Sequence, residues 1–157
     1  MKRPAWDEYF LKMAMLIAER STCLRHHVGA VLVRDRRVLS TGYNGAASGL
    51  ADCLEQGCLR DEQGIESGTR HEICRAVHAE QNAIIQASLH GVSVAEATMY
   101  CTHSPCLICA KMIVNAGIRR VVSFTPYADR NAPELFREAG TQSDLLPRPE
   151  PEIRFKP

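Results

Sequence analysis

The stretch HAEQNAIIQASLHGVSVAEATMYCTHSPCLICAKMIVNAGIRRVVSFT, residues 78–125, decides the architecture. Ala79, Ala83 and Ala87 recur on one helical face with Ile84, Ile85 and Leu89 beside them, which predicts a helix from His78 to about Leu89. Ala97 to Thr102 reads as a strand. Cys106 to Ala116 returns to helical spacing, with Gly117 where a left-handed end cap is wanted. Arg119 to Thr125 reads as a second strand. Strands that alternate with helices in this way imply parallel members of one sheet, because parallel neighbours need a crossover that a tight hairpin cannot supply.

Working outward, Ala132 to Ala139 predicts a further short helix, and a tail from Leu146 to Pro157 holds four of the eight prolines and reads as extended. Towards the N-terminus, VGAVLVR (Val28 to Arg34) and VLSTGY (Val38 to Tyr43) are β-rich runs split by the charged turn Asp35-Arg36-Arg37, the pattern of a hairpin. Trp6 to Ser21 carries Tyr9/Phe10, Met13 and Leu16/Ile17 at helical spacing. Between hairpin and first crossover helix, from Ala46 to about Cys74, periodicity disappears and glycines, charges and three cysteines dominate. A structureless segment of that length is uncommon in a compact domain unless something ties it down. The expected fold is α/β, a mixed sheet sandwiched by helices. At 157 residues and 45% hydrophobic, the chain suits a single domain, 1–157, with its core at about 6–140, a clamped loop at 46–74 and a tail at 146–157.

Bulk properties exclude several classes. The net charge is +1, and the basic pairs Arg36-Arg37 and Arg119-Arg120 sit at expected turns and strand starts, so no nucleic-acid partner is expected. No apolar run has the length of a membrane span, and Met1 to Asp7 has no signal-like apolar segment behind its charges, so the expectation is a cytoplasmic protein without a membrane partner. In that reducing compartment seven cysteines, an odd number, point to metal ligation rather than disulfides.

The chemistry concentrates in His78-Ala79-Glu80 and Pro105-Cys106-Leu107-Ile108-Cys109. A lone Cys-x-x-Cys could be a redox pair or half of a structural site, and a lone His-x-Glu means little. Together they supply one imidazole and two thiolates, leaving a fourth zinc position open as a catalytic site requires. His78 and Cys106 fall at helix starts, where the dipole and free N–H groups favour thiolate. Glu80, two residues from His78, is off its helical face and so is free to carry protons rather than ligate. Cys23, Cys53, Cys58 and Cys74 surround the aperiodic loop, and four thiolates would form a closed, structural zinc site that orders it. Cys101 reads as a small buried residue. His26, His27, His90 and His103 read as solvated or locally bonded, with His103 near enough to the metal loop to line a pocket.

The pattern His-x-Glu followed by Pro-Cys-x-x-Cys is the signature of zinc deaminases. Further, STC (Ser21 to Cys23), VGAVLV from Val28, GYNG (Gly42 to Gly45), HAEQNAI (His78 to Ile84) and THSPCLICAKMIVNAGI (Thr102 to Ile118) resemble deoxycytidylate deaminases over about Trp6 to Gly140. The resemblance implies a three-layer α/β/α cytidine-deaminase-like fold with about five strands. It implies a hydrolase acting on a cyclic amidine C–N bond, converting dCMP to dUMP and ammonia to feed thymidylate synthesis, with zinc as cofactor. It implies Glu80 as catalytic residue and His78, Cys106 and Cys109 as ligands. It also implies a second zinc near Cys23, Cys53, Cys58 and Cys74, for which His71 is the substitute ligand. Asn44 would contact the sugar and Ala79 would line the substrate site, while Arg25 and Tyr127 are candidates for the phosphate. A homo-oligomer, hexamer favoured, and dCTP and dTTP as effectors also follow from the resemblance.

Other readings stay open from residues alone. Deamination of free cytidine, of guanine or of a tRNA adenosine uses the same motifs. A tRNA enzyme would want a basic surface and aromatic platforms, against a charge near zero and 6% aromatics. A non-catalytic zinc-stabilised module would have no use for Glu80.

Overall fold

The computed structural model describes residues 3–127 and 129–152. Its elements in chain order are α1 (Trp6–Ala18), β1 (Gly29–Arg34), β2 (Arg37–Tyr43), β3 (Gly45–Ala46), α2 (Cys53–Gln56), α3 (Leu59–Glu62), a 3₁₀ turn (His71–Ile73), β4 (Ala76–Val77), α4 (Ala79–Leu89), β5 (Thr98–His103), α5 (Leu107–Asn115), β6 (Arg120–Thr125), α6 (Asn131–Ala139) and β7 (Gln142–Leu145). No helix among the described residues is long and apolar enough to cross a membrane.

The main sheet runs β2-β1-β5-β6-β7. β1 is antiparallel to β2 and β5, while β5, β6 and β7 are parallel. This is the expected mixed five-stranded sheet. The hairpin closes with Asp35 at φ 52° and Arg36 at φ 61°, the primed geometry that matches strand twist.

Alternation along β1 sorts the two layers. Val31 and Val33 join Phe10, Leu11, Ala14, Tyr100 and Val122 under α1. Ala30 and Leu32 face the opposite way, into the cluster with Ala79, Ala83, Ala87, Met99, Ile113 and Phe136 from β5, α4, α5 and α6. Two glycines set how closely the helices approach. A Cβ on Gly29 would lie 2.1 Å from the Ala14 carbonyl oxygen of α1, and one on Gly42 would lie 2.2 Å from the Ala79 carbonyl oxygen of α4. Since Gly42 pairs with Ala30, it points to the α4 face, and Gly29 to the α1 face.

Two features depart from the sequence expectation. β7 is a fifth, parallel strand that Gln142-Ser143-Asp144-Leu145 does not announce; it is polar because it forms the sheet edge. The aperiodic loop is not structureless. β3 and β4 pair antiparallel and bring its two ends together, Gly45 opposite Val77 and Ala46 opposite Ala76. Inside it, Asp52 caps α2 by accepting from the N–H groups of Leu54 and Glu55 at 2.8 and 3.2 Å. Arg25 donates to Asp61 Oδ1 at 2.7 Å and to the Ile65 carbonyl at 2.6 Å. From Leu146 to Glu152 the tail has no helix or strand; the rest of it, 153–157, lies outside the described residues.

Candidate active site

His78 and Cys106 are the N-cap residues of α4 and α5. The Gln81 side chain accepts the His78 backbone N–H at 2.9 Å and fixes the entry into α4. The ends of β4 and β5 deliver the two caps to one point. There His78 Nδ1 stands 3.6 Å from Cys106 Sγ and 3.3 Å from Cys109 Sγ. A tetrahedral zinc with Zn–N of about 2.0 Å and Zn–S of about 2.3 Å separates nitrogen from sulfur by about 3.5 Å. The donor set therefore has both the chemistry and the spacing for zinc, and Nδ1 is the nitrogen that faces the sulfurs.

The electrostatics fit a cation as well. Cys106 is held down to about 2, chiefly by the hydrogen bond with Cys109, against its burial. The same bond, then burial, pushes Cys109 upward. For His78, burial opposes the charged ring, but Cys106 and the charge of Glu80 outweigh it and raise its pKa.

Glu80 is 4% exposed, in the first turn of α4, and its carboxylate comes within 4.8 Å of the donor atoms of both His78 and Cys109. Burial is the dominant influence on it and raises its pKa above that of an ordinary glutamate, with the charge of His78 pulling the other way. A carboxyl poised towards neutrality beside a metal-binding set is suited to exchanging protons.

His78, Glu80 and Cys106 line a cavity of about 430 Å³, with Cys109 buried behind them. Asn44, Ala79, Arg25 and Tyr127 line it, as does His103. Asn44 is wired into the frame: Oδ1 accepts from Ser21 Oγ at 2.6 Å and from the Val28 N–H at 2.9 Å, and Nδ2 donates to the His26 carbonyl at 2.8 Å. Arg25 is paired with Asp61.

His71 stands elsewhere than the sequence suggests. Rather than beside the loop thiols, its Nδ1 lies 3.2 Å from His78 Nε2, and its Nε2 lies 2.7 Å from the Tyr127 hydroxyl. Both ring nitrogens are thus engaged at the active site, where the ring steadies the orientation of His78. Cys53 and Cys58 are buried. Burial, then the neighbouring charges of Cys58, Cys23 and Cys74, raise the Cys53 pKa, so the four thiols share one neighbourhood. They are not drawn as tightly together as the active-site donors: among the described residues, the donor groups whose atoms all lie within 4.8 Å are His71, His78, Cys106 and His78, Glu80, Cys109. All seven cysteines are free thiols.

Arg60 also lines the cavity, and no periodicity or motif singles it out in the sequence. Ser67 and Gly68 reach the cavity from the same loop.

Residues 4–125 match the family described as the cytidine and deoxycytidylate deaminase zinc-binding region. The deoxycytidylate deaminase of Schizosaccharomyces pombe is 43% identical over 141 residues, covering 89% of this chain but 44% of that protein. The chain thus spans less than half the length of that relative. The deoxycytidylate deaminase of Mycobacterium phage D29 is 45% identical over 127 residues, covering 78% of this chain and 96% of that protein. Among solved structures, the dCMP deaminase of cyanophage S-TIM5 in complex with dCMP and dUMP is similar with a TM-score of 0.77 at 30% identity, covering 93% of this chain and 100% of that one.

Proposed function

The chain belongs to the cytidine and deoxycytidylate deaminase zinc-binding family, and from that premise we propose that it is a cytoplasmic enzyme, a single domain, that hydrolyses dCMP to dUMP and ammonia. The observation that carries this reading is a buried carboxyl, Glu80, within 4.8 Å of two donors of a three-donor zinc set at the floor of a nucleotide-sized cavity. Supporting it, relatives 43% and 45% identical to the chain carry the name deoxycytidylate deaminase.

In this reading His78, Cys106 and Cys109 hold the zinc. Zinc, when bound, supplies Lewis acidity that makes water nucleophilic at neutral pH. Glu80 takes a proton from the attacking water, delivers it to N3 of the cytosine, and then helps protonate the departing amine at C4. The balance is dCMP plus water to dUMP plus ammonia. His71 and Tyr127 hold the His78 ring in place. Asn44 uses Oδ1 and one amide hydrogen inside the frame, leaving its second amide hydrogen for the sugar. The Ala79 backbone closes the cavity wall beside the base, and Arg25 keeps the loop against the cavity through Asp61.

A second, structural zinc on Cys23, Cys53, Cys58 and Cys74 completes the reading, supported by the shared neighbourhood of these thiols. The exposed Trp6, Tyr9 and Leu16 of α1 and Ile85 and Leu89 of α4 support association of copies; its hexameric form and a response to dCTP and dTTP rest on the resemblance to deoxycytidylate deaminases alone.

Assaying ammonia release from dCMP, CMP, dCTP and cytidine tests the function. The expected order places dCMP well ahead of the free nucleoside. Comparable kcat/KM on dCMP and cytidine would remove the nucleotide assignment, and inactivity on all four would remove cytosine deamination.

A further inference from the structure

We infer that Arg60 is the residue that receives the 5′-phosphate and so sets the preference for nucleotide over nucleoside. The inference rests on the deamination reading above and goes beyond it by naming the group that reads the substrate's charge.

Arg60 belongs to α3 and lines the cavity, yet it is only 8% exposed. Among the described residues no carboxylate pairs with it. One contact is made, from Nη2 to the Glu66 carbonyl at 3.2 Å, and its Nε is buried with no partner at all. The other cavity arginine differs in its counterion: Arg25 also has one buried nitrogen, Nη1, without a partner, but its charge is paired with Asp61 and its Nη2 donates to the Ile65 carbonyl.

A buried guanidinium without a counterion is costly to keep. The guanidinium of a residue that lines a nucleotide-sized cavity offers a planar fork of donors, which matches the oxygens of a phosphate. Ser67, from the same loop, adds only a small neutral hydroxyl, 3.0 Å from His26 Nε2. A dianionic phosphate therefore supplies what Arg60 lacks, whereas a nucleoside leaves it unpaired.

The test compares zinc-loaded wild type with Arg60→Gln and Arg60→Lys, using dCMP and deoxycytidine as substrates and inorganic phosphate as a competitor. Losing a hydrogen-bonded charge pair corresponds to a change of roughly 10- to 100-fold. Arg60→Gln is expected to lower the ratio of kcat/KM for dCMP to that for deoxycytidine by that factor, mostly through KM, and Arg60→Lys to restore part of it. Inorganic phosphate is expected to compete with dCMP in the wild type and to lose that competition in Arg60→Gln. Equal losses on both substrates, or phosphate competition unchanged in the variant, would overturn the inference and leave Arg60 a support for the loop. Because phosphate competition is measured first on the wild type, its absence there overturns the proposal even if neither variant folds. Failure of the deamination reading is separately visible, as a wild type that releases no ammonia from dCMP.

Discussion

In the proposed reaction, Glu80 decides whether the site turns over. The His78, Cys106 and Cys109 donors can be supplied by any zinc-stabilised module, but a carboxyl that is 4% exposed, raised by burial and set against those donors is placed to move protons. Glu80→Gln keeps size and most hydrogen bonding while removing the titratable group. The variant should fold and retain its zinc, measured by metal analysis, and lose at least about 10²- to 10⁴-fold in kcat, the usual range for general acid–base groups. A rate within tenfold of wild type with zinc retained would assign the proton transfers to another group. The proposed ligands and Glu80 stand out in the sequence because metal chemistry demands certain residue types at certain spacings, and the fold brings His78, Cys106, Cys109 and Glu80 together. Arg60 does not stand out, because its significance lies in lacking a counterion, and that exists only once α3 is folded against the cavity. His71 was visible as a histidine near the cysteines, but its direction, towards His78 and Tyr127 rather than the thiols, depends on the 3₁₀ turn it sits in.

Between elements, the controlling quantity is how closely α1 and α4 can approach the hairpin from its two faces. Gly29 is the tighter test, since a methyl group there would meet main-chain atoms of α1 at 2.1 and 2.6 Å, which cannot swing aside as a side chain could. Gly29→Ala should destabilise by about 3 kcal/mol or more, at the upper end of overpacking, in urea unfolding. Gly64→Ala, where φ is +64° and nothing lies within 4 Å, should cost only about 1–2 kcal/mol for left-handed backbone. Equal costs would mean that α1 shifts freely. The same helix is tied to the sheet by charge. Asp7 accepts from Arg120 Nη1 and Nη2, both at 2.9 Å, and from the Tyr100 hydroxyl at 2.7 Å, while Arg120 also reaches Asp144 on β7. The Arg120 hydrogen bond is the chief reason the Asp7 pKa is lowered. A carboxyl depressed by folding contributes stability that is complete above its unfolded pKa of about 3.9 and is lost as pH falls through its lower folded value. The gap in thermal midpoint between wild type and Asp7→Asn should therefore be open at pH 6 and close as pH drops below about 4; a gap independent of pH would show that the pair acts through packing alone. The long elements were legible through periodicity, whereas α2 and α3, at four residues each, and β7, a polar edge strand, are too short or too solvated to leave a repeating pattern.

Over the whole molecule, stability is divided unequally. Two apolar clusters hold the sheet between α1 on one face and α4, α5 and α6 on the other. The loop between β3 and β4 shares little of this: from Ala47 to Arg75 only Cys53, Cys58 and Arg60 are buried. Two cysteines and a charged residue cannot offset the entropy of ordering such a segment at about 1–2 kcal/mol per residue. The β3–β4 pairing and the Arg25–Asp61 contact close the loop at a few points but leave most of its backbone in solvent. A zinc on Cys23, Cys53, Cys58 and Cys74 would supply the missing stabilisation, because it joins residues at the end of α1, inside the loop and at its exit. Metal analysis should then give two zinc ions per chain. Treatment with a strong chelator should strip hydrogen-exchange protection from residues 47–75 before β1, β5 and β6 lose theirs, since local opening follows the least buried region. Cys58→Ser should reproduce that pattern with the catalytic ligands intact and one zinc ion retained. One zinc ion per wild-type chain, with the loop equally protected before and after chelation, would show that the loop is held by its hydrogen bonds alone and would remove the structural zinc.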